Sequence, residues 1–536
     1  MMRNVSLMVL LCCVVLIPMA AAETVGWRGD GSGRFPDADP PTEWSKDQNI
    51  VWKTEMPNWS NSSPIVVGGK LFVGCEPSDL ICCDVNDGKI LWRKSQDYFD
   101  TLSPEELPQA QETKKKAEEL IAKLKPIEGQ FNNCNGILGR LPDNRKKVDE
   151  LPKQIAEQEQ QVKTIQESFD KENAALANTP GNAELKKKVE EIKKQIEEAK
   201  KKLQNTQRDL ERVKKELEET KDEAAYKAKV DDLKKQVEDL RNQIKPLNTH
   251  IRPETNPTNG YSSPTPVSDG KNVWCLATHG VIACYDLDGN RKWITILPKH
   301  GGGWGQCSSR VLCGDKLLVH LTDLCALNKD TGEVIWRTSG TPARYGTCAI
   351  TKIKDVDIVI TPNGDSVRLA DGKLLARTPP KMDFNGPIIV HGVAYFFQDK
   401  GKAIKLPEEP ADEIKPEELW TMKVKNDRYY GSPLYHDGII YGITQQSVLS
   451  ALDAKTGELI YEKTLDLKAT VYPSLTLAGK YIYASGEGGV TAVFELGREF
   501  KEVKRNELGE GFRCCPLFVG NRMYIRGLKH LYCIGH

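Results

Sequence analysis

The stretch "LICCDVNDGKILW", residues 80–92, sets an apolar pair, an Asp, a turn ending in Gly88 and, four residues after that Gly, Trp92. The chain repeats it as "ACYDLDGNRKW" (283–293), "CALNKDTGEVIW" (325–336) and "SALDAKTGELIY" (450–461), with a degenerate copy in "VRLADGKLLA" (367–376). In such a turn the Asp side chain caps backbone amides, the Gly supplies positive φ, and the aromatic falls on the returning strand. Two shorter apolar runs split by a Gly turn precede each copy. The clearest are "SSPIVVGGKLFVGC" (62–75), "SSPTPVSDGKNVWC" (262–275), "SSRVLCGDKLLVHL" (308–321) and "GSPLYHDGIIYGIT" (431–444). Four short antiparallel strands in a recurring unit of roughly 35–45 residues is the arithmetic of a propeller.

Units start near residues 62, 262, 308, 346, 385, 431, 472 and 513. The last stops at "HLYCIGH" without its aromatic strand, and "NIVWKTEM" (49–56), carrying Trp52, can supply it. Pairing the first and last segments would close the ring and leave no free sheet edge. The expected architecture is an all-β eight-bladed β-propeller with a long inserted antiparallel α-helical coiled coil.

The insertion occupies residues 103–250, where Lys, Glu, Gln and Ala take over. Leu185, Val189, Ile192, Ile196, Ala199 and Leu203 keep a 4-3 spacing, which is a heptad seam. The phase slips near Ala224–Tyr226 and resumes at Val230. Read as one helix, residues 184–245 would run roughly 90 Å. An upstream seam from Val148 to Phe169 can pair with it, "NTPGNAE" (178–184) makes the reversal, and Asn182 caps the second helix. "LPDN" (141–144) is expected to break off an earlier helix over 105–139.

The chain's 536 residues hold 75 Lys+Arg and 75 Asp+Glu, so no charge bias points to nucleic acid. "MMRN", an apolar run of roughly 15 residues and Ala20-Ala21-Ala22 read as a cleaved secretory signal, too short to span a bilayer. The expected divisions are 1–22 signal peptide, 23–102 closing strand and first blade, 103–250 helical insertion and 251–536 the remaining blades. The mature chain is expected to be exported and periplasmic or cell-envelope associated, with no transmembrane span after signal cleavage. No Cys-x-x-Cys pair or metal-type His spacing occurs, so no metal site is expected.

The Asp-x-x-Thr-Gly-x-x-x-Trp pattern resembles the pyrroloquinoline-quinone (PQQ)-like β-propeller repeats. The opening "WRGDGSGRFPDADPPTEWSKDQNIVWKTEMPNWSNSSPIV" is similar to that of exported bacterial BamB-like proteins. The resemblance covers 27–94 and 262–536 and implies either a non-catalytic scaffold or a quinone-dependent dehydrogenase. The dehydrogenases use a vicinal disulfide against their cofactor, which makes Cys82-Cys83 and Cys514-Cys515 worth placing.

In the repeat alignment Cys82 shares a column with Cys284, Ala326, Ala451 and Cys533, a slot for something small and apolar. Cys75 and Cys275 align as a second pair. The loops entering the inner strands, read three residues before Pro64, Pro264 and Pro433 and at matching places, give Asn61, Tyr261, Cys307, Tyr345, Phe384, Tyr430, Thr470 and Arg513. That ring is aromatic and poor in the acids a calcium-bound quinone needs. No catalytic residue and no cofactor is assigned. The candidate ligand-binding residues at the channel mouth are Asn61, Tyr261, Trp304, Tyr345, Tyr430 and Arg513. The leading expectation is a non-catalytic scaffold with protein partners on the propeller face and the coiled-coil arm, and no nucleic-acid partner. The alternatives are a quinoprotein-type oxidoreductase and a carbohydrate- or small-ligand-binding propeller.

Overall fold

The structure is a computed structural model that describes residues 26–252, 255–298, 303–378 and 382–536. The expected signal and its cut after residue 22 lie outside the described residues. Two compact units form, Glu106–Ile251 and the flanking chain with Arg252–His536.

The flanking chain is β. Among the described residues it makes eight sheets, seven of four strands and one of five. In the first, Ile65–Val67, Lys70–Cys75, Asp79–Asp84 and Ile90–Ser95 follow one another antiparallel. The repeated turn explains the order, because each Asp-to-Gly turn folds the fourth strand back on the third. The aromatic then sits opposite the small column: Trp92 faces Cys82, Trp293 faces Cys284, Trp336 faces Ala326 and Tyr461 faces Ala451. Ile50–Glu55 pairs antiparallel with His530–Gly535, which sets Trp52 opposite Cys533.

The same aromatics lock each sheet to the next. Trp52 Nε1 donates to Val85 O, Trp92 Nε1 to Leu287 O, Trp293 Nε1 to Lys329 O and Trp336 Nε1 to Leu369 O, at 2.9–3.2 Å. Each acceptor lies in the next sheet's turn, whose Gly meets the indole face. At Gly332, where φ is +78°, an added Cβ would lie 2.6 Å from Trp293. The turn glycine therefore sets the turn and also makes room for the neighbouring Trp.

The alignment of the second unit shifts by two residues. Phe72 pairs with Cys82 and Trp274 with Cys284, so Trp274 is the counterpart of Phe72 and Cys275 is not the counterpart of Cys75. The hairpins are equally long, Ile65 pairing with Phe72 and Val267 with Trp274, and the offset arises upstream, where "SSPTP" carries two residues more than "SSP" before the strand.

An unforeseen addition comes from the N-terminal segment. Arg34–Phe35 joins Thr476–Ala478 in parallel, making the five-stranded sheet. Phe35 packs on Phe518, and Trp44, stacked near Tyr483, donates its backbone N–H to Asn506 Oδ1.

The inserted unit is helical, with α1 at Leu107–Asn178, α2 at Ala183–Glu219 and α3 at Glu223–Ile244. Asn182 caps α2 by accepting from Leu185 N–H at 3.1 Å. Two expectations need correction. There is no break at 141–144, because α1 runs unbroken through Pro126, Pro142 and Pro152. A proline inside a helix costs about 3 kcal/mol, and burial of Leu141, Asn144 and Leu151 around the last two offsets it. The long second helix stops at Glu219, where Thr220 caps the C-terminus, and restarts behind Asp222, which accepts from Ala225 N–H. The phase slip at Ala224–Tyr226 marks that joint. Cys134 and Ile137 of α1 bury against Tyr226, Val230 and Leu233 of α3.

Candidate functional site

A belt of hydrogen bonds links the starts of the inner strands. Each bond runs from a backbone N–H to the side chain at the matching position of the next sheet. Ser63 donates to Thr265 Oγ1 at 3.3 Å, Thr265 to Ser309 Oγ at 3.2 Å and Ser309 to Thr347 Oγ1 at 3.0 Å. Gly386 donates to Ser432 Oγ at 2.9 Å and Ser432 to Ser474 Oγ at 2.9 Å. Ser474 then donates to Cys515 Sγ at 3.3 Å, and Cys515 N–H returns to Ser63 Oγ at 3.0 Å. The chain of bonds is interrupted once, between Thr347 and Gly386, where glycine has no side chain to accept.

The belt answers the cysteine question. Cys515 occupies a Ser/Thr position of the belt and accepts a hydrogen bond there. Its neighbour Cys514 accepts from Arg526 N–H, and burial pushes its thiol up to about 12. Cys82 and Cys83 point to opposite faces of their strand, as neighbours on a strand must. Cys82 packs with Phe72 and Tyr285, Cys83 with Tyr524 and Met523, in separate cores. Burial raises both thiols to about 12, so both stay protonated and act as small apolar fillers.

Above the belt lies a cavity of ≈ 490 Å³, within the ordinary range for ligand sites. Asn61, Trp304, Tyr345, Tyr430 and Arg513 all line it. Tyr261 does not line it. The belt position of the second sheet is Thr265, before Pro266, so the residue equivalent to Asn61 is Ser263, and "SSPTP" offers two prolines of which the first misleads. Tyr261 instead stands edge-on to His279, with the Arg252 guanidinium 5.8 Å from its ring centre. The same correction applies to Thr470, since Tyr472 holds the equivalent place and lines the cavity.

Four aromatics from successive sheets form one wall. Tyr345 stacks on Phe384 at 5.9 Å, Phe384 meets Tyr430 edge-on at 4.9 Å, and Tyr430 stacks on Tyr472 at 5.0 Å. Arginines flank them: Arg513 lies 5.8 Å from the Tyr472 ring centre and Arg428 5.9 Å from that of Phe384. Arg513 is pinned by Glu487, Nε to Oε1 at 2.6 Å, and by Thr258 O. Asn61 Nδ2 donates to Thr258 O and Ser263 Oγ, while its buried Oδ1 has no partner. Trp304 is 58% exposed, its carbonyl held by Asn259 Nδ2 at 2.9 Å. Trp27 of the N-terminal segment lines this cavity and also a second one of ≈ 500 Å³.

Beneath the floor sits Arg28, fully buried. Its Nη2 donates to Pro433 O at 3.0 Å and Leu475 O at 2.9 Å, while Nε and Nη1 find no acceptor. Burial lowers it to about 10, which leaves it cationic at neutral pH. Sequence reading missed both Arg28 and the belt. The belt had a visible signal, the Ser that recurs before the inner strand in "SSP", "SSR" and "GSP".

The donor set does not fit a calcium-bound quinone. Asp383, the carboxylate lining the cavity, faces Arg344 at 3.5 Å, and the remaining lining groups are hydroxyls, amides, phenols, guanidinia and thiols. A hard dication needs several oxygen ligands with negative charge among them. Among the described residues no group of three or more His, Cys, Asp or Glu is placed to hold a metal, and no helix is long and apolar enough to cross a membrane.

Comparison with known proteins agrees with the repeats. The family described as outer membrane protein assembly factor BamB matches residues 254–403. The Yersinia pestis protein of that name is 23% identical over 231 residues, covering 38% of this chain and 57% of that protein's length. Among solved structures, BamB from Moraxella catarrhalis aligns with 51% of this chain and 82% of its own, at 13% identity and a TM-score of 0.41. A quinohemoprotein alcohol dehydrogenase from Pseudomonas putida HK5 aligns with 93% of this chain and 78% of its own, at 8% identity and a TM-score of 0.46. Structural likenesses of that degree speak to neither activity nor ligand.

Proposed function

We propose that this chain, a PQQ-like β-propeller by its repeats, is a non-catalytic exported scaffold that binds protein partners in the cell envelope. The observation that carries the reading is the make-up of the central cavity. Its walls offer phenols, aromatic edges, hydroxyls and guanidinia, which recognise a ligand, and among the described residues no acid–base pair is poised to move a proton. The relative named as an assembly factor supports the same reading, on a partial match.

In this reading the eight sheets are eight blades, closed by the Trp52 strand on the last of them. The helices α1, α2 and α3 form an antiparallel coiled-coil arm that offers a second binding surface. Residues 1–22 act as the export signal, and Asn61, Trp304, Tyr345, Tyr430 and Arg513 make the contact face. Tyr261 is left out for the reason given above.

Reconstitution tests the reading against its enzymatic rival. The purified chain, incubated with PQQ and calcium and then desalted, is expected to retain no cofactor and to reduce no dye with alcohols or sugars. Stoichiometric retention with dye reduction would replace the scaffold by a dehydrogenase.

A further inference from the structure

The belt leaves its own protons without a destination. A Ser or Thr hydroxyl donates one hydrogen bond and accepts up to two. Each of the six belt hydroxyls, Ser63, Thr265, Ser309, Thr347, Ser432 and Ser474, accepts a backbone N–H, and none donates to any described residue. All six are more than nine-tenths buried, and all six line the central cavity. A buried donor without an acceptor is costly, and a set of them facing one cavity calls for an acceptor from outside.

The charge is concentrated on one arc. Arg28 Nη2 bonds the carbonyls of Pro433 and Leu475, the residues directly after Ser432 and Ser474. Its guanidinium is therefore held at the backbone next to both serines, and it makes no ion pair among the described residues. Arg428 stands at the wall above beside Tyr430, Arg513 beside Tyr472 is paired with Glu487, and Asp383 of the same wall faces Arg344. Tyrosine rings carry positive edges, so they tolerate an anion in their plane.

We propose that the Ser432–Ser474 arc of the central cavity is an oxyanion site, taking a carboxylate or phosphate group on two hydroxyl donors beside the buried Arg28 charge. The anion supplies acceptors only, which is what the arc lacks. The proposal goes beyond the scaffold reading and does not depend on it: a free anion or a partner's acidic side chain would satisfy the arc equally.

The fold itself suggests a gentle variant. Cys515 already serves in the belt, its Sγ accepting the N–H of Ser474. Replacing Ser432→Cys and Ser474→Cys together keeps an acceptor for each N–H but leaves only weak S–H donors. Ser450→Cys, on a buried strand that does not line the cavity, is the control. Equilibrium dialysis of the full chain in chloride-free buffer would use three probes: inorganic phosphate, a hexaglutamate peptide and its hexaglutamine counterpart. Expected is saturable binding of phosphate, of hexaglutamate or of both, none of hexaglutamine, and a roughly tenfold or greater loss in the double variant. The control should bind as the parent does, and melting temperatures should stay close throughout. Tighter binding of phosphate would identify a free oxyanion as the occupant, and tighter binding of hexaglutamate a partner's carboxylate. The proposal is overturned by no saturable binding of either anion up to roughly 10 mM, by equal binding of hexaglutamine, or by a double variant that binds like the parent. Such a failure would leave partner capture by the rest of the cavity untouched.

Discussion

Glu76 in the sheet unit and Glu216 in the helical unit are both buried carboxyls with several hydrogen bonds, yet their protons respond in opposite directions. Glu76 Oε1 accepts from the backbone N–H of Tyr261 and Ser262 and from Ser262 Oγ, all neutral donors. Burial dominates there and pushes its carboxyl up. Burial also pushes Glu216 up, but hydrogen bonds from Arg140, Asn144 and Arg212 outweigh it and bring the group down to about 2. The sheets are joined by indole-on-glycine and N–H-on-hydroxyl locks, with ion pairs such as Lys70–Asp288 and Lys329–Asp269 at their turns. The helices are joined by an apolar seam with a charged node. Glu76 is thus held by neutral donors and Glu216 by charged ones.

The severest way to break the sheet unit is to remove its N-terminal strands. Deleting residues 26–55 strips the edge partner from His530–Gly535 and removes Phe35, Trp44, Trp52 and Arg28 from the core. Buried aromatics are worth about 3–5 kcal/mol each, so no cooperative melt of the sheets should survive. An unchanged melt would mean that the ring is not closed by that strand.

A single methyl group tests the shape lock. Gly332→Ala adds a Cβ at positive φ against Trp293 and should cost about 3 kcal/mol in chemical denaturation. Gly392→Ala, at φ +74° with nothing within 4 Å, carries only the backbone penalty and should cost about 1 kcal/mol. Equal losses would show that the indole contact contributes nothing.

Acid tests the charged node around Glu216. A carboxyl depressed in the folded state adds stability that is full above its unfolded value near 4.5 and disappears as pH falls toward 2. Helical ellipticity should therefore become easier to melt between those limits, and Glu216→Gln should flatten that dependence while lowering stability at neutral pH. The raised Glu76 has the opposite sign, its contribution growing as pH falls through its folded value. An identical pH profile for parent and Glu216→Gln would refute the charged node. The smallest effect is at the reversal: Asn182→Ala removes the α2 cap and should cost about 1 kcal/mol, read as a shift in the helical melt.

What the sequence made legible was local. The Asp-to-Gly turn and its Trp four residues on define a hairpin by themselves, so the strand order and the aromatic column could be read directly. Asn182 was legible for the same reason. Register across sheets was not, because Pro264 and Pro266 are both plausible starts and only the bond to Thr265 chooses between them. The unbroken α1 was hidden too, since local rules stop a helix at Pro142 and only packing around Leu141 and Asn144 overrides them. Asn61, Tyr345, Tyr430 and Arg513 could be placed at the cavity wall because the repeat fixes their position. Arg28 could not, since its partners at 433 and 475 lie more than 400 positions away.

The central claim, that the cavity face receives a protein partner, is tested most directly by photocrosslinking in the cell envelope. A photoreactive phenylalanine analogue replaces Tyr430 in one variant and Leu459, exposed on an outer strand, in another. The account predicts one or a few discrete heavier adducts from position 430, absent from position 459 and competed away by unlabelled parent chain. No adduct from position 430, or the same adducts from both positions, would contradict it.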